Sequence, residues 1–251
     1  MSEEHIRLAR DGAVMTVTFD NPARRNALGT NALDQLEALA EEIAAGDVRA
    51  VILTGAGDRA FTAGFNLAEL GESTPDSLLN SRFGDVFEVW ARLPVPVIGA
   101  LNGPCMGGGV HVASACDVLL AVPSVRFMIP ASRFGFVYQA GPVARIMAAF
   151  GQARAAQLLY LNQELTVQDI LPRGLVAEVC APGDLMTRAR AWADRVVGLA
   201  PLAVAGVKEI VREAPTAERA DEIARRAAYS EDVQEGLAAI REKRTPIFHG
   251  R

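Results

Sequence analysis

The run from Val97 to Val122 limits what this chain can fold into more than any other segment. It is the most apolar stretch of the sequence, yet it carries Asn102, Pro104, His111, Asp117 and five glycines. A bilayer-spanning helix would have to hold a histidine, an aspartate and a proline in hydrocarbon, so the run reads instead as buried strand, loop, helix and strand. The strands fall at 95–101 and 117–122, and the helix at 107–115.

The rest of the pattern extends this alternation. Residues 5–9 and 13–19 alternate around Asp11-Gly12 as a β-hairpin. From Leu28 to Ala44 the apolar positions Leu33, Leu36, Leu39, Ala40 and Ile43 form a helical stripe, with Thr30 or Asn31 as the cap. Residues 50–54 are a continuous apolar strand ending at Gly55. A polar, mobile loop with Pro75 spans 71–77, and 77–92 is helical. From about Pro142 the pattern turns helical, ending in amphipathic helices over 216–229 and 231–243. Strands at 13–19, 50–54 and 96–101 recur at about 45 residues, as in a coiled stack of similar units. The expected fold is an α/β core over 1–195 with a helical C-terminal section over 196–251.

Half of the 251 residues are hydrophobic, which excludes a mostly disordered chain. The net charge of −5 argues against a nucleic-acid binder. Cys105, Cys116 and Cys180 show neither a disulfide framework nor a zinc spacing, and fit a reducing compartment. His5, His111 and His249 are too scattered to mark a metal site. The N-terminus is acidic and has no apolar h-region, so a cytoplasmic protein with no membrane partner is expected.

Three segments could carry chemistry. Gly55-Ala56-Gly57-Asp58-Arg59-Ala60 follows a strand and has the form of a dinucleotide fingerprint, which would imply a nicotinamide or flavin enzyme. The residues after it, Phe61 to Gly64, are poor helix formers, whereas that fingerprint must open a helix at once. The second segment, Asn102 to His111, joins a buried strand to a helix through Gly107, Gly108 and Gly109. Free N–H groups and the helix dipole favour negative charge at such a helix start. The same glycines also suit a tight crossing that admits no side chain. The third segment, Arg59 to Leu67, could aim another N–H at the same point, and two such donors on one carbonyl make an oxyanion hole.

Together the stretches 53–67 and 96–109 resemble the crotonase, or enoyl-CoA hydratase/isomerase, family. Residues 21–28, 115–117 and 242–251 resemble its first CoA-contacting loop, the strand after its oxyanion helix and its C-terminal tail. The resemblance covers about residues 5–251. It implies a right-handed spiral of ββα units closed by a C-terminal helical oligomerisation section, assembled as a homotrimer or a dimer of trimers. It further implies that the N–H groups of Phe65 and Gly108 bind a thioester oxygen. Arg24 and Arg25 would lie near the CoA phosphates, and Ala27, Ala63, Asn66 and Leu67 would border the ligand. Lys243 and Phe248 would reach a neighbouring subunit's CoA, or else pack on their own subunit. No metal or prosthetic group is implied, since CoA arrives with the substrate.

The chain departs from the family at the catalytic carboxylates. Hydratases of the family carry one glutamate where this chain has His111 and another where it has Ala131; some isomerases carry an aspartate where it has Gln139. Hydration needs one group to take a proton from water and another to deliver one to carbon, each contributing roughly 10²–10⁴ in rate. His111 is the titratable side chain left at a matched position, either as acid/base or as a buried residue shaping the acyl pocket. Phe65 would narrow that pocket, and Tyr138 and Gln139 would line it or donate hydrogen bonds. Glu69 and Glu72 either swing toward the site or stay solvated. Two functions follow: an enzyme stabilising a thioester enolate, or a non-catalytic acyl-CoA-binding protein.

Overall fold

The computed structural model describes residues 5–70 and 82–251. The expected polar loop at 71–77, the first turns of the helix at 77–92 and Glu72 lie partly or wholly outside the described residues.

Two sheets share the core. The main one contains β1 (Ile6–Asp11), β2 (Val14–Phe19), β3 (Ala50–Gly55), β4 (Val97–Leu101), β6 (Val118–Ala121) and β9 (Val176–Val179), side by side in the order β1-β2-β3-β4-β6-β9. The β1–β2 hairpin is antiparallel and every other pairing is parallel. β3 and β4 are buried at every position, as a strand covered on both faces must be. The smaller sheet contains β5 (Cys105–Met106), β7 (Arg126–Met128) and β8 (Leu165–Thr166). Single bridges, Leu28 to Phe65 and Thr62 to Cys105, carry its pairing further.

Read along the chain, β2, β3 and β4 are each followed by a short pairing segment of the second layer and then a helix. After β2 come Leu28 and α1 (Thr30–Ala45); after β3, Thr62–Phe65 and then α2 (Arg82–Ala91); after β4, β5 and α3 (Gly108–Ala115). This is the expected repeat. Trp90 Nε1 donates to Leu36 O and ties α2 to α1. Helix α1 starts two residues later than its apolar stripe suggests because Leu28 is spent on the bridge to Phe65. Neither Thr30 nor Asn31 caps it. Gly29 is the cap residue and supplies no side chain, and Glu69 accepts from Thr30 N at 2.7 Å instead.

The section after Pro142 is less uniformly helical than its sequence suggests. Helices α4 (Ala140–Phe150), α5 (Gln152–Leu159) and α6 (Val167–Ile170) are interrupted by β8, and β9 then adds an edge to the main sheet. Helix α7 (Leu185–Val197) covers β3 and β4, burying Leu185, Ala189 and Ala193 at a spacing of four. Helices α8 (Pro201–Glu213), α9 (Ala217–Ala228) and α10 (Glu231–Glu242) follow.

Asp117 fastens α8 to the core. Its carboxylate accepts from Val97 N (2.7 Å), Lys208 Nζ (2.7 Å) and Arg212 Nη2 (3.0 Å). Arg212 also donates to the carbonyls of Ser114, Ala115 and Cys116, the unpaired acceptors at the C-terminal end of α3. Among the described residues no helix is long and apolar enough to cross a membrane, and no group of three His, Cys, Asp or Glu side chains could hold a metal ion.

Candidate active site

The loop before α2 and the start of α3 meet backbone to backbone. Gly64 has φ +80°, and a Cβ there would stand 2.5 Å from Gly108 N and 2.6 Å from Gly108 Cα. Only glycine satisfies both the left-handed backbone and the absent space. At Gly108 a Cβ would strike the Phe83 ring at 2.6 Å, and at Gly109 the Thr62 carbonyl oxygen at 2.2 Å. Gly108 and Gly109 are therefore demanded by close crossing within the chain, the plainer of the two readings, and Gly107 by its φ of +54°; the crossing sets Gly64 against the start of α3.

The hydrogen-bond pattern sets the direction of the Phe65 amide. In the bridge to Leu28 the partners are Gly64 O and Asn66 N, at 2.8 and 2.9 Å. Successive peptide groups of an extended segment point to opposite sides. Phe65 N–H thus points away from Leu28, toward the side on which Thr62 pairs with Cys105 and Gly64 abuts Gly108. Gly108 N is the first amide of α3, one of the donors a helix leaves without an internal acceptor.

His111 lies one turn further along α3 and is buried. The Phe83 and Phe87 rings stand 6.4 and 6.3 Å from its imidazole, centre to centre. Among the described residues its buried Nε2 has no hydrogen-bond partner, and it faces Glu88 Oε1 at 3.6 Å. Glu88, on α2, is gripped by Arg145 of α4 through both carboxylate oxygens, Nε to Oε1 at 2.9 Å and Nη2 to Oε2. Those bonds hold the Glu88 carboxyl far below the usual carboxylate range. No sequence signal marks Glu88: it is one acid on an amphipathic helix, and its partners lie 23 and 57 residues away.

The other expected site residues divide into two groups. Tyr138 is half-buried, its hydroxyl 3.8 Å from where a Gly107 Cβ would stand, and burial pushes its phenol well up, so it stays a neutral donor. Phe65 packs edge-on to Phe83 at 6.2 Å. Ala63 is half-buried beside Gly107, its carbonyl oxygen 3.5 Å from where that Cβ would be. Ala131 is half-buried at the head of a 3-10 turn, and Gln139 precedes α4 with its amide oxygen 3.4 Å from where a Gly84 Cβ would be. Ala27 is buried, Leu67 is exposed, and Arg24 and Arg25 are exposed on the turn that leads to Leu28.

Asn66 and Glu69 bond to each other at 2.9 Å, so Glu69 is an anchor for α1 and not a free carboxylate over the site. The tail folds back on its own helix. Phe248 packs by Gly236 and its carbonyl accepts from Arg49, while Asp232 accepts from His249 N and Gly250 N. Lys243 is exposed at the end of α10.

The dinucleotide reading does not survive. Residues 56–60 form a turn and open no helix. Backbone N–H groups that would have to face a phosphate are spent inside the chain: Gly55 N donates to Asn102 Oδ1 at 3.0 Å and Ala56 N to Phe19 O at 2.8 Å. Two cavities of about 1100 Å³ lie elsewhere, one between the α8–α9 pair and the core and the other against α4 and α8. Neither is lined by Phe65 or Gly108.

Comparison with known proteins covers nearly the whole chain. The enoyl-CoA hydratase/isomerase family matches residues 9–251. A probable enoyl-CoA hydratase of Mycobacterium leprae is 32% identical, over 98% of this chain and 99% of that protein. The carnitinyl-CoA dehydratase of Escherichia coli K12 is 30% identical over 99% of each. Among solved structures, an enoyl-CoA hydratase from Bacillus anthracis superposes with a TM-score of 0.90 at 28% identity, covering 99% of this chain and 100% of that one. With the strand–bridge–helix repeat, the meeting of Gly64 with Gly108 and a match over nearly its whole length, this chain belongs to the enoyl-CoA hydratase/isomerase family.

Proposed function

We propose that this protein binds an acyl-CoA thioester and stabilises its enolate, with the thioester oxygen held by the N–H groups of Phe65 and Gly108. The close approach of Gly64 to Gly108 supports this reading, because it sets the residue before Phe65 against the first amide of α3. Enolate formation moves negative charge onto that oxygen. Fixed donors and the α3 dipole stabilise the charge without reorganisation, and losing one such donor costs roughly 10²–10³ in rate.

His111 is the proton carrier of the proposal, one helical turn from Gly108. Ala131 can neither take nor give a proton, and neutral Gln139 is no base, so hydration by a pair of carboxylates is not open to this chain. Proton transfer at the carbon next to the thioester remains, as in a double-bond shift or an elimination. Tyr138, kept neutral, would donate to the acyl group. Arg24 and Arg25 would meet the CoA phosphates from their exposed turn, beside Ala27, Ala63, Asn66 and Leu67. Lys243, exposed at the end of α10, would reach the site of a neighbouring copy in a trimer or a dimer of trimers, while Phe248 stays packed on its own subunit.

Turnover of an acyl-CoA panel by the wild type and by His111→Ala tests the reading. A fall of about 10²-fold or more in the variant is expected; equal rates would remove His111 from the mechanism. One observation favours a second reading, an acyl-CoA binder without turnover: the His111 side chain is only 2% exposed. Calorimetric binding of acyl-CoA with no product from any member of the panel would establish it.

A further inference from the structure

Three helices converge on the far nitrogen of His111. Helix α3 contributes the imidazole, α2 contributes Glu88 and α4 contributes Arg145. Phe83 and Phe87, also from α2, pack beside the ring. Nε2 is thereby cut off from solvent, and Glu88 Oε1 stands 3.6 Å from it. Arg145 sets the plane of that carboxylate through two bonds, one of them Nε to the same Oε1 at 2.9 Å.

A neutral imidazole carries one N–H, on either nitrogen. An ionised carboxylate only accepts hydrogen bonds, and the Arg145 contact keeps Glu88 ionised. With the proton on Nδ1, the Nε2 lone pair would face a carboxylate oxygen inside the protein, two acceptors with nothing between them. With the proton on Nε2, the same approach is attractive, and a sub-ångström adjustment of the ring closes it to a charge-assisted hydrogen bond.

We infer that Glu88, clamped by Arg145, is a positioning residue that holds His111 as its Nε2–H tautomer and so reserves Nδ1 as the ring's proton acceptor. The catalytic meaning of this rests on the proposed role of His111, whereas the tautomer itself does not. A carboxylate that touches no substrate then decides which nitrogen of the acid/base group works.

The test is nitrogen-15 NMR of histidine-labelled protein, in which long-range nitrogen–proton correlations separate the two tautomers. The wild type is expected to show His111 protonated at Nε2. In Glu88→Gln, Arg145 claims the amide oxygen and turns the NH2 group toward the imidazole, so the tautomer switches to Nδ1–H. Turnover of the best acyl-CoA substrate then falls about 10-fold or more while KM moves less than about 2-fold. An Nδ1–H signal in the wild type, or one tautomer in both proteins, overturns the inference. Should Glu88→Gln fail to fold, the wild-type spectrum alone decides. A tautomer switch alongside undiminished turnover in His111→Ala would sink the catalytic reading and leave the positioning intact.

Discussion

A Cβ on Gly64 would stand 2.5 Å from the amide nitrogen of Gly108, although the two residues lie 44 positions apart in the chain. Gly64→Ala is therefore expected to fail twice, through the strained φ of +80° and through the clash. The cost is about 2–4 kcal/mol. Urea denaturation reads the loss of stability, and acyl-CoA titration of the folded fraction reads weakened binding. Gly135→Ala, also at positive φ but with nothing within 4 Å, should cost only about 1 kcal/mol.

His111→Glu would put a carboxylate on α3 beside the clamped Glu88. The new carboxylate would share the space next to Glu88, and like charges raise one of the two folded-state pKa values. A raised folded pKa gives stability that is present at low pH and lost as pH rises. His111→Glu should therefore be less stable than His111→Gln at pH 7 by about 2 kcal/mol, with the gap shrinking toward pH 4. Paired urea melts at the two pH values measure it; an equal gap at both would refute it.

Glu88 itself has the opposite sign. Its folded carboxyl sits below the ordinary 4.5, first through the hydrogen bonds from Arg145 and then through His111. Its contribution is complete above that ordinary value and is lost as pH falls below it. Between pH 5 and pH 3 the wild type should lose more stability than Glu88→Gln, as read from urea midpoints. Arg145→Met, which leaves half-buried Glu88 with the His111 imidazole but without its guanidinium, should cost about 2–3 kcal/mol at pH 7, since both side chains retain some contact with water.

Much of the main sheet could be read from the sequence because β3 and β4 are unbroken apolar runs, and their burial leaves no polar alternative. The glycine loops were legible for a similar reason: Gly64, Gly108 and Gly109 admit no side chain. The second sheet was not. β5 and β8 are two residues each, too short to show alternation, and their partners lie far along the chain. β9 follows Gly174 with only Val176 fully buried, so it looked like part of a helical region. At the site, His111 stood out by position, whereas Glu88 and Arg145 matter only through a three-helix meeting that no local pattern encodes.

Glu69 is another such case. It accepts from Thr30 N at the start of α1 and from Asn66, which lowers its carboxyl from the ordinary value although burial works the other way. Glu69→Ala should remove this cap and cost about 1 kcal/mol. Amide exchange of the first turn of α1 should quicken, while exchange in β3 should not change.

The helix that begins at Gly108 is held at its other end by a side chain about a hundred residues downstream. Arg212 covers the last carbonyls of that helix and shares Asp117 with Lys208. The glycine tip and the rear of this short rod are thus held by separate parts of the polypeptide. Whatever lifts α8 away would uncover the rear, remove its balancing positive charge, and free the rod to slide along its axis under the very groups it is built to aim.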